Sequence, residues 1–174
     1  PVNIHVADPI AFYQPLDEHN EQWVIANRYR MQGSLLGFDE LIDRRNTMLA
    51  RNPETTFICC HLGNLSHDLG RLAVDLDAHR NMYVDISART WDLGRQPKTA
   101  RAFFIRYQDR ILFGTDLSPG IKNYISSIRL FETDDEYFVS PGSARHWRSY
   151  GISLPDKVLR KLYNENAKRI IPGL

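Results

Sequence analysis

Cysteine is nearly absent from this chain, and its two copies, Cys59 and Cys60, are adjacent. Neighbouring residues make an ordinary disulfide geometrically unfavourable, and the pair is not a C-x-x-C motif. A disulfide framework is therefore not expected, and a reducing, cytoplasmic compartment is. No apolar run approaches the roughly 20 residues that a spanning helix needs. Charge of one sign is lacking too. Lys and Arg number 22 against 21 Asp and Glu, and the net charge of +1 offers no electrostatic case for nucleic acid or a membrane surface. Internal repeats, low-complexity tracts and a signal-peptide pattern are all missing. Pro1-Val2-Asn3 has neither a basic region nor an initiator Met, so the start reads as a cut.

What is present fits one domain of 174 residues, with 43% hydrophobic and 25% charged residues. Four short apolar runs are read as strands: Val2 to Val6, Thr56 to Cys60, Met82 to Ile86 and Ile111 to Gly114. Each is near-continuous rather than alternating, as in parallel strands covered on both faces. Helical patterns lie between them at Phe38 to Arg51, Leu69 to His79 and Thr99 to Tyr107, and a last one at Asp156 to Ile171. Ser66 or His67 is read as the start of the second, and Pro172 and Gly173 close the last. This alternation predicts an α/β fold with a parallel sheet. Pro9 to Leu36 and Leu130 to Gly151 are long for connections and read as candidate functional loops.

The polar residues that end the runs carry the chemistry. His5 and Asp8 sit at the first, His61 follows the second in "CCHLGN", Asp85 and Arg89 belong to the third, and Asp116 ends "RILFGTD". Ligands and catalytic groups gather at the carboxyl ends of parallel strands. Imidazole and carboxylate together suit a borderline divalent ion such as zinc, which lowers the pKa of bound water from 15.7 to about 7. A nearby Asp can take that proton and return it to a leaving group. The cations of Leu93 to Arg101 with Arg106 and Arg110 are read as a solvated helix face, with a clamp for a substrate carboxylate, Arg89 and Arg95 by preference, as the alternative. The acidic run Glu132, Asp134, Asp135 and Glu136 is read as solvent-exposed rather than as a glycosidase pair. His19, Trp23, His146 and Trp147 are read as surface-loop residues, with a pocket wall as the alternative.

The series "IHVADP", "RNPETTFICCHLGN", "NMYVDISAR", "DRILFGTD" and "YNENAKRII" resembles, in order and over nearly the whole chain, the amidohydrolase-related metal-dependent hydrolases. The resemblance implies a distorted TIM barrel with its site at the carboxyl ends of the strands. By position, His5 matches the histidine ending the fifth barrel strand and His61 the one ending the sixth. Asp116 matches the aspartate ending the eighth, which contacts the metal and serves as acid/base. The seventh strand transfers no ligand, so Asp85 and Arg89 remain candidates for the substrate pocket. No H-x-H pair, the first-strand signature, occurs here, and a full barrel takes about 250 residues. The chain is therefore expected to be the carboxyl-terminal half, covering about strands 5–8 as one domain.

The implied function is attack of metal-activated water on an amide, ester or lactone carbonyl of a small carboxylic acid derivative. Zinc is the expected metal, with manganese as the alternative. His5, His61 and Asp116 would be its ligands, with His61 and Asp116 catalytic; Arg89, Arg95 and Asp85 would touch substrate. A homodimer is the expected assembly. Two other readings stay open: non-oxidative decarboxylation of an aromatic or unsaturated acid, and a non-catalytic half-barrel used for binding or assembly.

Overall fold

Every strand of the fold is short and every one is followed by helix. The computed structural model describes residues 1–29, 36–118, 120–139 and 147–174. Its elements run β1 (Val2–Ile4), a 3-10 turn (Ile10–Phe12), α1 (Trp23–Tyr29), α2 (Phe38–Arg51), β2 (Phe57–Cys59) and a four-residue turn, α3 (Cys60–Gly63). There follow α4 (Leu69–Ala78), β3 (Met82–Asp85), α5 (Thr90–Leu93), α6 (Pro97–Arg106), β4 (Ile111–Leu112) and α7 (Ile121–Glu132). The chain closes with α8 (Asp156–Arg160), a π-helical segment (Lys161–Glu165) and α9 (Asn166–Ile170). The protein is thus α/β, as its alternating pattern predicts.

The four strands form one parallel sheet in the order β1-β2-β3-β4. Register aligns Val2 with Phe57 and Met82, Ile4 with Cys59 and Val84, and Val84 with Ile111. Side chains alternate faces along a strand, so this set shares one face. Apart from the exposed Val2, it joins Ile42, Leu49, Leu72, Leu76 and Phe104 from α2, α4 and α6 in the main hydrophobic core. Asn3, Ile58, Tyr83 and Leu112 belong to the opposite face. Ile58 and Leu112 are buried, yet neither belongs to a hydrophobic cluster among the described residues. The hydrophobic core supplied by α2, α4 and α6 lies on the first face.

The two sheet edges differ. Along β4 the outward C=O of Ile111 accepts from Asn166 Nδ2 at 2.8 Å, and Phe113 N–H donates to Leu162 O at 3.0 Å. The C-terminal helical segments thus satisfy that edge. Among the described residues no strand pairs with the outer edge of β1, where Val2 is 44% exposed.

Several expectations are corrected. The helix after His61 is capped by Asp68, whose carboxylate accepts from Arg71 N–H at 2.9 Å, rather than by Ser66 or His67. The final helix runs from Asp156 to Ile170 as expected, and its middle turn, Lys161–Glu165, is π-helical. Helix α7 was not foreseen: Ile121-Lys-Asn-Tyr-Ile-Ser-Ser-Ile is rich in residues of modest helix propensity. The excursion after β1 carries the 3-10 turn and α1, which share a small core of Ala11, Phe12 and Ala26. Part of that excursion (30–35) and His146 lie outside the described residues.

Candidate functional site

Parallel register brings the carboxyl ends of the strands to one rim, and four of the expected residues sit along it. His5 follows β1, His61 follows β2, Asp85 ends β3 and Asp116 comes after β4. The His5 and His61 rings lie 5.0 Å apart between centroids, edge to face at 84°.

The turn that carries His61 is left-handed. His61, Leu62, Gly63 and Asn64 have φ of 61°, 55°, 56° and 65°. For residues with a Cβ this conformation costs about 1–2 kcal/mol each, because Cβ crowds the following carbonyl oxygen. Such a turn persists only when its surroundings over-determine it. They do so here from three directions. Asp85 Oδ1 accepts from His61 N–H at 3.0 Å. The Asn64 amide clasps the backbone of Ala7, accepting from its N–H at 3.4 Å and donating to its C=O. The guanidinium of Arg45, a buried α2 residue, donates to Gly63 O. Within the turn, Asn64 N–H donates to His61 O and Leu65 N–H to Leu62 O, each at 3.0 Å.

Neighbouring groups also fix the protonation state of His61. Its Nδ1 lies 2.8 Å from Ser87 O, and a carbonyl only accepts, so Nδ1 carries the hydrogen. Nε2 is left with a lone pair. Burial, reinforced by the positive charge of Arg89, holds the imidazole below its ordinary pKa, so it is neutral at pH 7. Asp85 Oδ1 further accepts from Ser87 N–H at 2.9 Å and Ser87 Oγ–H at 2.5 Å. A Cβ on Gly114 would stand 2.6 Å from Ser87 Oγ, so β4 reaches this network only through a glycine.

Arg89, 4% exposed, donates to Ala88 O at 2.7 Å and feels the charges of Asp92, Asp8, Asp116 and Asp85. It is the buried cation of the rim. Asp116 is exposed at φ 60°, in a turn where Thr115 Oγ1 accepts from Leu117 N–H at 3.3 Å. Burial pushes the pKa of the adjacent thiols up, to about 12 for Cys59 and about 11 for Cys60. The nucleophilic and metal-binding form of cysteine is the thiolate, which such values suppress.

Beside the rim lies a cleft of about 390 Å³, lined by Ala11, His19, Gln22, His67, Asp92 and Arg95 among others. Its walls come from the segments that follow His5, His61 and Arg89. Arg95 is thus set apart from the two histidines. It forms a two-pronged pair with Glu21, at 2.8 Å for Nη2 to Oε1, and lies over the Trp147 ring at 4.5 Å. Asp92 accepts from Ser66 Oγ–H at 2.7 Å. His19 lines this cleft, whereas Trp23 is exposed. The acidic run is a surface feature: Asp135 pairs with Arg129 at 2.7 Å, and Glu132 accepts from Tyr163 at 3.1 Å.

A family model described as amidohydrolase matches residues 6–173. The chain belongs to the amidohydrolase family. No curated protein and no solved structure gave a significant match. Members of this family are hydrolases and related enzymes of small molecules that generally use divalent metals. The match begins one residue after His5.

The donor set suits such a metal in kind and falls short in number. His61 offers Nε2 while a carbonyl holds Nδ1, the arrangement that orients a ligating imidazole. Among the described residues, however, no three His, Cys, Asp or Glu side chains converge to hold an ion. A catalytic zinc takes three protein ligands.

Sequence reasoning missed Ser87, Asn64 and Arg45. Gly63-Asn64 was the available signal, since both residue types tolerate positive φ. A carbonyl bond from Ser87 and a guanidinium arriving from another helix leave no local mark.

Proposed function

We propose that this amidohydrolase chain forms the carboxyl-terminal half of a barrel-type, metal-dependent hydrolase acting on small amides, esters or lactones. The observation that carries the reading is His61, its Nδ1 anchored on Ser87 O and its Nε2 without a hydrogen-bond partner among the described residues, with its ring centroid 5.0 Å from that of His5 at the carboxyl rim of a parallel sheet. The sequential strand order and the sheet face outside the hydrophobic clusters support the half-barrel.

In this reading His5 and His61 would hold a divalent ion, zinc before manganese, and Asp116 would supply the carboxylate of the site. Lewis acidity, which polarises a scissile carbonyl and acidifies water, is what the ion supplies when bound. Asp116 removes the proton from the attacking water and returns it to the leaving group, a task its exposed position permits. Asp85 holds the His61 backbone and, through Ser87, the ring. Arg89 provides positive charge for a substrate carboxylate or a developing oxyanion. The cleft beside the rim, with Arg95 on its wall, takes the remainder of the substrate.

The test is metal analysis and a panel of lactones, esters, amides and decarboxylatable acids, on the complete natural protein and on residues 1–174. Near-stoichiometric zinc or manganese is expected, with Asp116→Asn lowering kcat at least 100-fold, the scale of a lost general base. Absence of metal together with no turnover on the panel would favour a non-catalytic module, and turnover unchanged in His61→Ala would falsify the role given to His61.

A further inference from the structure

Arg45 is a charged side chain placed where charge is costly. It is 2% exposed on α2, against the core side of the sheet. Its donors are used as follows. Nη2 pairs with Asp75 and, at 3.0 Å, with Asn46 Oδ1; Nε reaches the same Asn46 oxygen at 3.1 Å; and Nη1 donates to Gly63 O. Asn46 Nδ2 in turn holds Asp75 Oδ1 at 2.9 Å. A buried ion pair is by itself a poor stabiliser, because desolvation offsets its attraction and an apolar replacement often serves as well. What an apolar side chain cannot replace is the donor to Gly63 O. That carbonyl belongs to the left-handed turn and lies two residues from His61. The approach is close enough that a Cβ on Gly63 would stand 2.7 Å from Arg45 Nη1.

We propose that Arg45 is a positioning residue for His61: its buried guanidinium holds Gly63 O and fixes the left-handed turn that presents the imidazole at the rim. Asp75 and Asn46 hold the guanidinium, and Asp85 and Asn64 hold the two ends of the turn. Arg45 never touches substrate. Its consequence for zinc rests on the metal-dependent reading above, whereas its consequence for the turn does not.

The experiment compares wild type, His61→Ala, Arg45→Met and Arg45→Lys with two readouts. The first is hydrogen exchange of the Asn64 and Leu65 amides, which bond within the turn, against amides of α2 and the sheet as controls. The second is zinc titration of metal-stripped protein by calorimetry. In Arg45→Met the turn amides should exchange at least 10-fold faster beyond any change in the controls, and zinc affinity should fall 10–100-fold, the range for partners that orient a ligand. Arg45→Lys keeps the charge opposite Asp75 with a single donor point, so its effects should be smaller. This variant carries the test if Arg45→Met does not fold. If the turn amides of both variants move only with the controls, the proposal is overturned. If wild type takes up no zinc, or His61→Ala binds it as well, the metal reading fails while the exchange result still decides the role of Arg45.

Discussion

Asn64 is the residue whose replacement most directly tests how the site is held. Its amide ties Ala7, two residues after His5, to the end of the turn that begins with His61. In Asn64→Ala the buried C=O of Ala7 loses this donor, at about 1–3 kcal/mol. The bond from Ala7 N–H, long at 3.4 Å, adds little. Alanine must also hold φ near 65°, where asparagine is tolerated and alanine is strained by about 1 kcal/mol. The sum is about 2–4 kcal/mol, a large share of the 5–15 kcal/mol that a domain of this kind holds. Asn64→Gly removes the same bonds without the strain and should retain about 1 kcal/mol more than the alanine variant. Urea unfolding followed by tryptophan fluorescence and circular dichroism measures both. The reasoning is wrong if Asn64→Ala stays within about 0.5 kcal/mol of wild type, the scatter of ordinary surface changes. It is equally wrong if glycine proves as damaging as alanine.

Two further outcomes are expected. Burial holds His67 below its ordinary pKa of 6.5. Below that value the unfolded chain takes up the proton first, so stability should fall as pH drops through 6.5 toward the folded-state pKa. His61 is shifted the same way, so His67→Gln should show a shallower but not flat decline in melting temperature across that window. An equal slope in the variant would remove His67 as a contributor. The thiols of Cys59 and Cys60, pushed up to about 12 and 11, should resist iodoacetamide at pH 7.5 in the native protein and react on unfolding. Stoichiometric native alkylation, read by mass spectrometry, would contradict this.

The strands were legible because parallel pairing selects near-continuous apolar runs. "TFICC" and "MYVDI" announce themselves, and the structure trims only their ends, to Phe57–Cys59 and Met82–Asp85. Helix α2 was legible to its last residue, since Phe38, Ile42 and Leu49 recur on one buried face. That His5, His61, Asp85 and Asp116 share a rim also follows from strand ends alone. What holds them does not. Asp85 looked like a substrate contact, yet its Oδ1 is occupied by His61 N–H and by Ser87. Arg95 was a candidate for a carboxylate clamp, and its partner Glu21, from a distant segment, had no signal in the sequence. Such contacts join residues 24 and 74 positions apart. No periodicity encodes them, because they arise only after the strands have paired.

The unequal sheet edges give the fold a direction of growth. Asn166 and Leu162 terminate hydrogen bonding beside β4, so the sheet behaves like a polymer with one capped and one living end. In the half-barrel reading proposed above, a strand that extends the sheet would pair beside β1. Parallel pairing there would bring that strand's carboxyl end to the flank of His5, at the rim where, among the described residues, the two imidazoles meet no third metal-ligating side chain. In that reading, completing the sheet and completing the site would be the same event.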